Sequence, residues 1–154
     1  MHVRVLCVAG RPSDWAAQSC DNYLKRLPKA WRCEITRLAP SKRNGDAAQR
    51  KADEWQRLAR VVRADDALIL LDERGKHFTS RQIATRIAAW QSEGCNLSFV
   101  IGGPDGVDDA CRQRATQTWS VSPMTLPHEL ARLVLVEQLY RAHTIIEGHP
   151  YHRD

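Results

Sequence analysis

The chain carries GHPYHRD from Gly148 to Asp154, so that two histidines, a tyrosine and an arginine fall within six consecutive positions. Imidazole and phenol groups can accept or relay a proton, and a guanidinium can hold phosphate or stabilise a developing anion. Terminal segments are usually where order fades. Here Pro150 fixes the backbone ahead of the reactive side chains, which points to a segment with a defined direction.

Three further stretches could bind a ligand. IGGPDG, Ile101 to Gly106, leaves an apolar run through adjacent glycines. It lacks the G-x-G-x-x-G spacing of a dinucleotide loop and the lysine and hydroxyl of a P-loop. Pro104 removes an amide donor and Asp105 adds negative charge, so the loop suits close backbone approach by a ligand without phosphate, or simply a tight turn. SVSPMTLPHELAR, Ser120 to Arg132, holds Pro123 and Pro127 in a stiff loop after a strand. LLDERG places Leu71 and Asp72 at another strand end. In parallel α/β sheets ligands bind at the carboxyl ends of strands, where these loops could converge.

The elements that must position them can be read from periodicity. VRVLCVAG, ALILLD and NLSFVIGG are apolar runs typical of buried strands, with CEITRLA and TWSVS as weaker ones. A helix capped by Ser13 or Asp14 carries Ala16, Cys20, Tyr23, Leu24 and Leu27 as far as Pro28. A second has Ala48, Ala52, Trp55, Ala59 and Val62 as its stripe. Around that stripe stand Lys42, Arg43, Arg50, Lys51, Arg57, Arg60 and Arg63, either a solvated face or a phosphate-contacting arm. The third begins with Thr79 and Gln82 as a capping box and shows Ile83, Ile87 and Trp90 on one face before Gly94. A fourth covers Asp109 to Gln117, and the last runs from near Pro127 with Leu130, Leu133, Val134, Leu139 and Tyr140. Strands alternating with helices predict one α/β domain over 1–154, with a mainly parallel sheet and helices on both faces.

A net charge of +5 is compatible with a polyanionic partner without requiring one. The five cysteines include no C-x-x-C pair, which predicts reduced, mostly buried thiols and no metal site. No apolar stretch reaches the length of a membrane span, and no cleavage pattern follows the N-terminus; a cytoplasmic protein is expected.

LLDERGK, FVIGGPDG, SPMTLPHELARLVLVEQLYRA and HPYHRD, in this order, resemble the RlmH family. These small SPOUT-superfamily enzymes methylate N3 of a pseudouridine in bacterial large-subunit (23S) ribosomal RNA. The resemblance implies a C-terminal trefoil knot, against the general rule that chains are not knotted. It also implies a homodimer acting on the ribosome, with S-adenosylmethionine (SAM) at the subunit interface. On this likeness Leu71, Gly102, Gly103 and the segment Ser122, Pro123, Met124, Thr125 and Leu126 would contact the cofactor, largely through backbone groups. SAM carries no phosphate, which agrees with the missing phosphate motifs.

Imide N3 is a weak nucleophile until its proton leaves, so a base or an anion-stabilising cation must stand beside it. His152 or Tyr151 would remove or relay that proton, Arg141 and Arg153 would hold RNA phosphate or the developing charge, and His128 would support the site. Arg141 could instead pair with Glu137, four residues earlier. Glu129, His77 and His143 receive no catalytic role. The rival readings are a methyltransferase of the same fold acting on transfer RNA, a ribosome-binding protein without catalysis and, weakest, a dehydrogenase.

Overall fold

The computed structural model describes residues 1–151. Its first strand, β1 (Val3–Val8), is buried at every position, as befits a central strand covered on both faces. It pairs in parallel with β2 (Cys33–Leu38) on one side and β4 (Leu97–Ile101) on the other. β3 (Ala67–His77) then pairs in parallel with β4 and β5 (Gln117–Ser120), giving the order β2-β1-β4-β3-β5.

Because strand side chains alternate between faces, the sheet builds two cores. Val5, Cys7, Ile69, Phe99 and Trp119 pack with Ile87 of α3 (Ser80–Ser92) and Leu135 and Leu139 of α5 (His128–Ile146). Leu27, which follows α1 (Asp14–Leu24), joins the same side. On the opposite face Leu6, Val8, Leu68, Leu70 and Val100 meet Leu58 of α2 (Ala47–Ala59) and Cys111 of α4 (Asp109–Arg114). The parallel α/β arrangement with helices on both faces is thus the observed one.

Several boundaries differ from the sequence reading. The first helix stops at Leu24, before Pro28, and the fourth stops at Arg114, because Gln117 already belongs to β5. On α2 the buried residues are Glu54 and Leu58, whereas Ala48 and Ala59 are exposed. Of the predicted stripe Trp55 and Val62 pack against the core and Ala52 is half-buried, while Ala48 and Ala59 give way to Leu58, because the larger leucine gains more from burial. On α5 Leu130 is exposed and Leu133 and Val134 are half-buried; Leu135, Val136, Leu139 and Ala142 form the buried stripe. The capping box of Thr79 and Gln82 is present in both directions.

β3 is longer than the run ALILLD and is interrupted. Leu71 and Lys76 both register with Trp119 of β5, so Asp72 to Gly75 are extruded from the ladder. A Cβ on Gly75 would collide with the backbone of Thr118, Trp119 and Ser120, which makes glycine necessary at this crossing. The extrusion carries Asp72, Glu73 and Arg74 out to the carboxyl end of the sheet.

All five cysteines are free. Burial pushes the Cys7 thiol up to about 11, against the nearby Arg132, and the Cys33 and Cys111 thiols up to about 12. They are inert packing groups at neutral pH. No helix among the described residues is long and apolar enough to cross a membrane.

Candidate active site

The carboxyl ends of β3, β4 and β5 surround a cavity of about 490 Å³. Its wall includes Leu71, Gly102, Gly103, Ser122, Met124, Thr125, Leu126 and His128, together with Asp72 to Arg74, Lys51, Asp109 and Arg112. Pro123 is exposed within the same loop and does not line the cavity.

Local chemistry explains each wall. After β4 the chain turns back through Gly103-Pro104-Asp105-Gly106, closed by a hydrogen bond from the Gly106 amide to the Gly103 carbonyl at 3.0 Å. Gly106 adopts φ 87°, where glycine is unstrained, and Pro104 fixes the preceding turn position. A Cβ on Gly102 would lie 2.5 Å from Val107 Cγ1, and one on Gly103 would lie 3.0 Å from both Glu54 Oε2 and Val8 Cγ1. The double glycine therefore lets backbone pack tightly beneath the cavity. Buried Glu54 braces the loop from α2, its Oε1 accepting from the Ser41 amide at 2.8 Å.

After β5 the Ser120 hydroxyl donates to the Ser122 carbonyl at 2.8 Å, and the Met124 amide donates to Ser122 Oγ at 2.9 Å. Thr125 donates to Glu73 at 3.2 Å, joining this loop to the extruded segment of β3. Helix α5 then begins at His128 behind Pro127. Its second residue, Glu129, accepts from the Ser13 amide at 2.6 Å and the Ser13 hydroxyl at 2.8 Å. These bonds hold the Glu129 carboxyl below its ordinary range. Ser13 flanks α1 without capping it through its side chain, because Glu129 occupies that hydroxyl.

Charge around the cavity is largely paired. Arg112 meets Asp72 at 2.7 Å, and Arg50 of α2 meets Asp105 at 2.8 Å. Partial burial raises the Asp72 carboxyl's pKa, but the Arg74 amide and the Arg112 guanidinium outweigh it and keep the group ionised. Arg43 and Arg57 are spent on Asp53, so much of the basic α2 region serves intramolecular pairing. Neither the Asp72–Arg112 nor the Arg50–Asp105 pair is visible in local spacing, since the partners lie 40 and 55 positions apart in the sequence.

The remaining sequence-predicted residues lie elsewhere. Arg141 donates to Glu137 Oε1 from Nε at 3.0 Å and from Nη2 at 2.7 Å. Tyr151 packs edge-on against Tyr140 with centroids 4.7 Å apart, and the Arg141 guanidinium stands 5.0 Å over its ring. Arg141 is thirteen residues beyond His128 on the same helix, about 20 Å along the axis at a helical rise of ~1.5 Å per residue. The structure thus gathers the cofactor candidates other than Pro123, with His128, at one place, and Arg141 with Tyr151 at another. His152 and Arg153 lie outside the described residues. His143 stacks edge-on at 5.5 Å against buried Trp31, a packing role.

The family model for "Predicted SPOUT methyltransferase" matches residues 1–152. A protein of Methylococcus capsulatus named "Ribosomal RNA large subunit methyltransferase H" is 41% identical over 155 residues, covering 99% of this chain and all of its own length. The chain belongs to the RlmH family of SPOUT methyltransferases. A relative of the same name from Hahella chejuensis is 37% identical, with both chains covered in full. The structure of a probable methylase family protein from Haemophilus influenzae superposes with a TM-score of 0.55 at 13% identity, covering 99% of this chain and 70% of the other, a likeness of fold. As an RlmH-family member the protein is a methyltransferase, and the glycine loop, the proline-stiffened loop and the extruded β3 segment meet at one cavity.

Proposed function

We propose that this methyltransferase uses SAM to methylate N3 of a pseudouridine in large-subunit ribosomal RNA, on the assembled ribosome and as a homodimer. The observation that carries this reading is the end-to-end likeness to proteins named for large-subunit ribosomal RNA methylation, together with the convergence of the glycine loop, the proline-stiffened loop and the extruded β3 segment on one cavity.

The cavity has the size of a small-molecule site. Leu71, Ile101, Val107 and Leu126 offer apolar surface for an adenosine, while the glycine and proline loops offer backbone groups. Asp72 and Asp105 are paired with Arg112 and Arg50, while Glu73 and Asp109 share the wall with Lys51 and Arg74, so the wall is nearly balanced in charge and is no concentrated cationic cradle for phosphate. These residues fit SAM and would hold it. Bound there, SAM supplies a methyl group attached to a cationic sulfur. The protein's own work is alignment and exclusion of water, with His128 at the cavity wall to contact the incoming base.

Arg141 and the tail belong to the same reading through a second copy. Glu137, the part of α5 nearest His128 that Tyr151 touches, is nine residues on, about 14 Å along the axis. That separation along α5 favours a tail that serves a partner's cavity. Three large apolar side chains also stand exposed: Met124 in the cavity loop, Leu130 in the first turn of α5, and Trp15 on α1, which Ser13 and Glu129 link to α5. Exposed apolar side chains of this size suit a subunit interface. The trefoil knot forms part of this proposal on the strength of the family likeness.

In the mechanism, His152 or Tyr151 takes or relays the N3 proton, and Arg141 and Arg153 hold RNA phosphate or the developing charge. Basic side chains add salt-dependent phosphate contacts while the target base is splayed out of the RNA.

The test is transfer of labelled methyl from SAM to assembled ribosomes, free ribosomal RNA and transfer RNA, with the product nucleoside identified by mass spectrometry. N3-methylpseudouridine formed on ribosomes is expected. Labelling of transfer RNA instead would replace the substrate, and absence of SAM binding would remove the enzymatic reading.

A further inference from the structure

Helix α5 ends in two bonds that turn the chain sharply. The Gly148 amide donates to the Ile145 carbonyl at 3.2 Å and the His149 amide donates to the Thr144 carbonyl at 2.8 Å, with Gly148 at φ 67°. This left-handed helix stop lets Tyr151 fold back onto α5. The Tyr151 amide donates to His149 Nδ1 at 3.2 Å, and its hydroxyl donates to Glu137 Oε1 at 3.2 Å and lies 3.5 Å from the Tyr23 hydroxyl of α1.

Glu137 is the point where these contacts meet. Its Oε1 accepts from Arg141 Nε, Arg141 Nη2 and the Tyr151 hydroxyl, while Oε2 accepts from Gln138 Nε2 at 2.6 Å. Three donors converge on Oε1, more than its two lone pairs ordinarily take, and a fourth holds Oε2. An isolated i,i+4 ion pair on a helix needs no such assembly and contributes little. Here one carboxylate joins a helical arginine to a tyrosine at the start of the tail, and those are the two candidate site residues set apart from the cavity.

Resting on the function proposed above, we infer that Glu137, seconded by Tyr23, is a positioning residue of the reaction: it clamps Tyr151 and Arg141 so that the tail leaves α5 in one direction. Tyr151 is then an anchor, and the proton is taken by another group. The surroundings agree with an anchor. Tyr151 faces Glu137, Arg141 and Tyr140 on α5 and Tyr23 on α1, with Arg26 5.8 Å over both the Tyr23 and Tyr140 rings. Burial first, then the Tyr23 hydroxyl and the Glu137 charge, push the Tyr151 phenol above its ordinary value, so that it stays protonated at neutral pH.

The experiment compares Glu137→Ala, Tyr151→Phe and the double variant with the wild-type protein. Single-turnover methyl transfer to ribosomes is followed across pH, SAM affinity is measured by calorimetry, and amide exchange is followed over residues 148–151. A misplaced tail should cost on the order of 10- to 100-fold in transfer rate with unchanged SAM affinity. The two single variants should lose similar amounts and the double variant little more, because both open the same clamp. The rate should fall by the same factor at every pH, and the tail amides should exchange faster. A Tyr151→Phe variant whose pH profile loses an ionisation would make Tyr151 the base and overturn the assignment. So would Glu137→Ala with wild-type rate and wild-type tail protection. If wild-type protein transfers no methyl to ribosomes, the functional reading fails separately, while the exchange of the tail amides still decides the clamp.

Discussion

At the amino ends of the strands, Asp66 accepts from Arg4 at 2.7 Å and from Ser98 at 2.6 Å, and all three residues are buried. At the carboxyl ends of the same sheet, Asp72 and Arg112 make an equally short pair, yet it lines an open cavity and Arg112 stays about a third exposed. The difference shows what each charge is for. A buried pair has surrendered its water, so removing one partner leaves the other stranded. A pair at a cavity wall keeps part of its hydration and can exchange partners with a ligand at modest cost. The molecule closes one end of its sheet and keeps the other available.

The sharpest way to break this contrast is Asp66→Ala, which takes from Arg4 its one buried carboxylate and leaves it Glu34 at 3.7 Å and His2 at 3.2 Å. Denaturant unfolding should show a loss of about 3–5 kcal/mol, whereas the protein that remains folded should bind SAM within twofold of wild type. A weakened SAM site at unchanged stability would mean that the two ends are coupled.

Gly75→Ala probes the boundary between them, since Gly75 ends the extruded segment and presses on β5. It should lose on the order of 1–3 kcal/mol by overpacking and also weaken SAM binding, because Asp72 to Arg74 move with it. Unfolding and calorimetry on one sample measure both, and a variant affecting neither would remove the crossing from the account.

Glu129→Gln should have the smallest effect, and one that depends on pH. The Ser13 bonds lower the folded value of this carboxyl. Its contribution is therefore present above the unfolded value near about pH 4.3 and is lost as pH falls through the lower folded one. The variant's stability should fall less steeply on the acid side, as thermal melts between pH 3 and pH 6, a range that brackets the ~4.3 value, would report. Parallel curves would contradict it.

How much was legible follows the range of the interactions. Thr79 and Gln82 announce their capping box within three positions, and the apolar runs of β1, β3 and β4 could not be anything but covered strands. The α2 stripe held at Trp55 and Val62 and misled at Ala48 and Ala59, because alanine is a weak marker of face, and Glu54 is buried where the glycine loop after β4 and the Ser41 amide lie against it. Nothing in LLDERGK signals that four residues leave the ladder while the strand continues. That outcome depends on β5, which arrives more than forty positions later.

Arg141 and Glu137 were legible as a possible pair from their spacing alone. That Tyr151 would join them depended on the helix stop at Gly148 and on Tyr23 from the far end of the chain. The sequence by itself determined the element types, the parallel α/β class and the motifs of the RlmH family, because periodicity, caps and short motifs act over a few residues. Only the tertiary structure decided that the cofactor candidates other than Pro123 share one cavity while Arg141 and Tyr151 stand about two and a half turns or more away along α5. That separation is a matter of strand register and helix length, and both are set by packing between segments that do not adjoin in the chain.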